Sequence, residues 1–125
     1  MGVNVRSFVD PSDISGVIGD LSSCENNITA STTQSIAGAY QLTKAINRIS
    51  TSATAGNAVK LPAAKAGTTV IVFNKAATNA VGVYPQAAAD IINAIAAGGS
   101  YSVAVTKGVM FVCSVDGQWD TILTA

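Results

Sequence analysis

Histidine is absent, and charge is scarce: only 11% of the 125 residues are Asp, Glu, Lys or Arg. Ordinary soluble domains carry roughly 25%. Without histidine the usual general acid or base near neutral pH is missing. A nucleophilic Ser or Cys would have to rely on one of five lysines, which sit in turns or at strand ends. Seven basic residues balance seven acidic ones, so the basic stripe that displaces counterions from nucleic acid is missing too. Two cysteines 89 positions apart, Cys24 and Cys113, make neither a CxxC redox motif nor a zinc site. Leucine is rare, with four copies against fourteen Val and eleven Ile, which argues against a helical body.

Other signals are missing as well. No stretch approaches the 18 or more apolar residues of a membrane-spanning helix. The first residues lack the basic start and apolar core of a signal peptide. Arg6 stands where a Met-Gly myristoylation signal wants Ser or Thr. No Gly-rich phosphate loop or EF-hand loop occurs. Asp116 and Asp120, the nearest carboxylate pair, flank a turn that explains Asp116 without chemistry. These absences predict no enzyme, no cofactor, no metal, no nucleic-acid partner and no membrane. The Asn27-Ile28-Thr29 triplet matches a glycosylation acceptor, and a Cys24–Cys113 disulfide is compatible with the sequence, but nothing marks the chain as secreted.

What is present is small and β-branched. Ala, Ser, Thr and Gly supply 56 residues, and hydrophobic residues make up 49%. Val, Ile and Thr suit a pleated surface. Zero net charge with so few charges favours association, and closed symmetric homo-oligomers are the usual form.

Along the chain, residues 1–26 read as a docking arm and 27–125 as a β-domain. In the arm, Val3, Val5, Phe8 and Val9 are strand-like in spacing. Ile14, Val17, Ile18 and Leu21 follow the i, i+3, i+4, i+7 spacing of a helix face, behind a Ser12-Asp13 cap. Gly16 and Gly19 weaken such a helix, so these eight apolar residues are the candidate contacts with a capsid subunit or an adjacent protomer. A first strand packed into the same domain is the competing reading.

Past the arm, strand pulses fall at 28–31, 45–51 and 58–61, the last ended by Pro62. The run at 68–74 is apolar on both faces, which suits a strand covered on both sides, by the core and by another layer or subunit. Val81 to Pro85 follows, and the two read as a hairpin. QAAADIINAIAA (86–97) is the one helix-like stretch, stopped by Gly98-Gly99. Alternation at 100–105, 109–115 and 118–124, with Asp116-Gly117 as a hairpin turn, makes a meander. The expected fold is all-β: an antiparallel β-sandwich or jelly roll of about eight strands with one short helical excursion. Cys113 and the sole tryptophan, Trp119, are expected in its core.

Read together, LPAAKAGTTVIVFNKAATNAVGVYP (61–85) and DIINAIAAGGSYSVAVTKGVMFVCSVDGQWDTI (90–122) resemble a group of short virion proteins of tailed bacteriophages. The shared pattern is a Leu-Pro, a Gly before a β-run ending in Asn, a Val-x-Val-Tyr-Pro strand, an Asp-x-Ile-Asn excursion, and closing Tyr, Phe and Trp strands. It spans roughly residues 28–125 and departs at Ala94, where a Gly is expected. The resemblance implies an all-β structural module, a head decoration (cement) protein on the outer surface of the phage head. Its implied partners are the major capsid protein and other copies of itself, as a homotrimer, and it carries over no catalytic residue. The alternative is a fibre or receptor-binding module, with Tyr84, Tyr101 and Trp119 as aromatic candidates; the absence of heptads disfavours a fibre shaft. A host-side β-sandwich adhesion module is the third and weakest option.

Overall fold

The computed structural model describes residues 23–124. The chain is all-β, with ten strands and no α-helix among the described residues. In chain order they are β1 (Cys24–Thr29), β2 (Tyr40–Gln41), β3 (Ile46–Thr51), β4 (Asn57–Lys60), β5 (Thr69–Asn74), β6 (Val81–Tyr84), β7 (Ile91–Ile92), β8 (Tyr101–Val103), β9 (Gly108–Val115) and β10 (Gln118–Leu123). Sheet one has the order β1-β3-β5-β9-β10-β7, and sheet two the order β2-β4-β6-β8.

The chain alternates between the sheets from β1 to β6, laying each strand parallel to the one placed a coil earlier. β1 pairs with β3 and β3 with β5; β2 pairs with β4 and β4 with β6. This is a solenoid-like winding of three coils. The last part closes it: β8 runs antiparallel to β6, and β9 runs antiparallel to both β5 and β10. The expected antiparallel pairing therefore holds for the closing meander but not for the winding. The expected hairpin of 68–74 with 81–85 is likewise corrected, since β5 and β6 lie in different sheets. Alternation dictates which face of a strand is buried, not which strand lies beside it.

The turn out of β5 shows what redirects the chain. Asn74 is fully buried, and its side-chain amide donates to the carbonyls of Asn79 (3.0 Å) and Val103 (2.9 Å). Its Oδ1 accepts from the amide of Ala76 (3.0 Å). A polar side chain tolerates full burial only when so satisfied. Here it pins the corner that carries the chain into sheet two.

The helix expected in 86–97 is replaced by turns and β7. The amides of Ile91 and Asn93 donate to Gly117 and Trp119 carbonyls across the sheet, rather than to carbonyls four residues back. Asn93 also has φ 53° and Gly98 φ 76°, left-handed conformations that no α-helix contains.

One core lies between the sheets. Val70, Val72, Val109, Phe111, Cys113 and Trp119 face it from sheet one, and Val59, Val81, Val83 and Val103 from sheet two. Tyr101 of β8 meets Phe111 of β9 edge to face, ring centroids 5.7 Å apart at 86°, a favoured aromatic geometry. The expected core positions of Cys113 and Trp119 are observed. Both cysteines are free thiols, Cys24 exposed and Cys113 buried. β1 begins at Cys24, so the boundary drawn after residue 26 falls inside a strand.

Candidate functional surface

Because side chains alternate along a strand, the outward face of sheet one can be read from the register. Cys24 pairs with Ile46, Ile46 with Ile71, Ile71 with Met110, and Met110 with Ile122. Partners in a ladder point to the same face, so these five side chains form one row across five strands, turned away from the core. Four of them are large apolar residues. Ile122 is 64% exposed and Ile46 36%, while Ile71 and Met110 are half-buried.

Phe73 thickens this row. It pairs with Gly108, and a Cβ at that glycine would lie 2.6 Å from the Phe73 ring. Glycine thus leaves room for the aromatic ring to lie over the neighbouring strand. Together Ile71, Phe73, Met110, Ile122 and Leu123 line an open groove of about 340 Å³. The expectation that 68–74 has a second apolar face is met by Ile71 and Phe73, the outward residues of β5.

Sheet two is different. Its outward row is Gln41, Lys60 and Tyr84, and the loop between β1 and β2 engages it. The Lys60 ammonium donates to the Ile36 carbonyl (3.0 Å), and the Tyr84 hydroxyl to the Gln34 carbonyl (3.0 Å).

Electrostatic features are few. The Tyr40 hydroxyl donates to the Glu25 carboxylate at 2.5 Å. This bond ties β2 to β1, the free edges of the two sheets, and raises the phenol above its ordinary value. Burial pushes the Cys113 thiol up. At the opposite end, Asp116 Oδ1 accepts from the Ala66 amide (2.9 Å), and the Ser114 hydroxyl donates to Asp120 (2.7 Å). The two carboxylates are occupied in holding the turn. Among the described residues no group of three His, Cys, Asp or Glu is placed to hold a metal ion.

The sequence-based candidates fall as follows. Val3, Val5, Phe8, Val9, Ile14, Val17, Ile18 and Leu21 lie outside the described residues. Tyr84, Tyr101 and Trp119 do not form a shared platform: Trp119 is fully buried, Tyr101 packs inward on Phe111, and Tyr84 is bonded to the 31–39 loop. The apolar row was not singled out from sequence. Its signal was there, in the unbroken run Val70-Ile71-Val72-Phe73, but its other members come from strands whose neighbours the sequence did not reveal.

No family model, no curated protein and no solved structure matches the chain.

Proposed function

We propose that the protein is a bacteriophage head decoration (cement) protein, which binds the outer capsid surface and stabilises the lattice. The observation that carries this reading is the work done by the residues of the phage-like pattern. Leu61, Asn74, Phe111 and Trp119 are fully buried, and Gly67 and Gly117 hold positive φ at turns. Every one of them holds the scaffold, and none converges on a chemical site. A sandwich-like body of two sheets, wound on itself and poor in charge, suits a protein whose task is to be one rigid tile among many. Its partners in this reading are the major capsid protein and two further copies in a homotrimer. The segment that grips is the N-terminal arm, through Val3, Val5, Phe8, Val9, Ile14, Val17, Ile18 and Leu21. Many weak contacts repeated over a shell give avidity beyond any single interface.

The test is to mix labelled protein with undecorated phage heads and image them. Label spread over the whole head, with heads more resistant to heat, is the expected result. Label confined to a tail or spike would replace this reading with a fibre module. Sedimentation checks assembly: a trimer is expected, and a 12.6 kDa species both free and on particles would remove the trimer.

A further inference from the structure

The outward row of sheet one lacks among the described residues the kind of cover that the 31–39 loop provides for sheet two. Its size says what kind of cover fits. Eight residues line the groove, whereas a standard protein–protein interface engages about 20–30 residues on each side. The groove suits a segment of chain rather than a folded partner.

Connectivity says which segment. Twenty-two residues precede the described chain, and they join it at the strand whose first residue, Cys24, is the first member of the row. From Cys24 to Ile122 the row crosses four strand spacings, about 19 Å. The three residues from Cys24 back to Leu21 reach up to about 10 Å, which brings Leu21 over Ile71. A helical turn from Leu21 back to Ile14 covers about 10 Å more, which brings Ile14 over Ile122. The chemistry matches the distance. Ile14, Val17, Ile18 and Leu21 share one helical face, an apolar stripe as long as the half of the row it would cover. Gly16 and Gly19 make this helix too weak to stand alone, so a surface must order it. The short tether holds it over the row at an effective concentration of about millimolar.

We infer that residues 14–21 dock in cis as an amphipathic turn across the outward row Ile46, Ile71, Met110 and Ile122, beside Phe73. The inference rests on the arm assigned under the decoration reading and divides its labour. The stretch 14–21 is clamped on the chain's own sheet, and the strand-like stretch with Val3, Val5, Phe8 and Val9 is left to reach the capsid.

Amide hydrogen exchange on the full chain tests this, using wild type, Ile122→Asp and Ile18→Asp. Ile122 is mostly exposed and Ile18 lies outside the described body, so both variants retain the fold; unchanged protection in β5 and β9 verifies it. Exchange at residues 14–21 should be about tenfold or more slower in wild type than in either variant, at every protein concentration. Equal rates in all three proteins would overturn the inference. Protection that vanishes on dilution would overturn it as well, by assigning the row to a second copy's arm. Head coating is scored separately: protection without coating upholds the clamp and removes the decoration reading, and coating without protection does the reverse.

Discussion

Asn74, Cys113 and Trp119 are buried for different reasons. Asn74 is a polar corner post with three hydrogen bonds. Asn74→Ala removes all three and leaves two carbonyls and an amide unpaired in the interior; each orphan costs about 1–3 kcal/mol. We expect Asn74→Ala to lower the urea-unfolding free energy by about 3 kcal/mol, with an unchanged slope if only the native corner is affected. Trp119→Ala should cost about 3–5 kcal/mol by leaving a cavity. Cys113 is a small apolar residue that carries a titratable group. Burial raises its thiol above the ordinary 9.0, so the folded state keeps the proton longer than the unfolded chain does. Its contribution to stability is complete below pH 9 and declines as the pH rises from there through the raised value. Cys113→Ala should flatten the alkaline loss of stability seen in wild type. A thiol reagent at neutral pH should modify Cys24 at once and Cys113 only after denaturant is added, because only the former is exposed.

At the scale of elements, most strand positions were legible and most pairings were not. The expected pulses at 45–51, 68–74, 81–85, 109–115 and 118–124 lie within a residue or two of β3, β5, β6, β9 and β10, because alternation and β-branching are local properties. The Asp116-Gly117 hairpin was legible for the same reason: a tight turn needs positive φ, and Gly117 has φ 83°. Gly117→Ala keeps the fold but strains that turn, and thermal unfolding should show a loss of about 1–2 kcal/mol. The parallel winding was hidden, because two strands joined by a six-residue link look alike whether they pair or part. What separates β5 from β6 is a buried asparagine at the corner, one side chain that no periodicity announces. β7 was hidden differently. Ile91, Ile92 and Ile95 have helix-compatible spacing, and only the carbonyls of Gly117 and Trp119, more than 25 residues away, draw their backbone into a sheet. The edge at β1 is blunted by an irregular register and by Asn27 at φ 57°, a device that discourages open-ended pairing with other chains.

At the scale of the whole molecule, the scarcity of charge bears on function directly. Seven cations and seven anions on 125 residues leave little long-range field to steer the protein onto a partner. What the molecule offers is shape, backbone hydrogen bonds and apolar surface such as the row over β3, β5, β9 and β10. Salt separates these two modes of binding. An electrostatic complex weakens steeply between about 50 and 200 mM salt, and surface charge pairs are screened over about 10 Å at 0.1 M. Apolar contact is indifferent to that change and is strengthened by excluded salts such as sulfate. Binding to undecorated heads, measured by co-sedimentation, should therefore change less than about threefold across that range and tighten in ammonium sulfate. A loss of tenfold or more in added sodium chloride would place the capsid contact on the few lysines and acids instead, and the apolar arm would no longer be the grip.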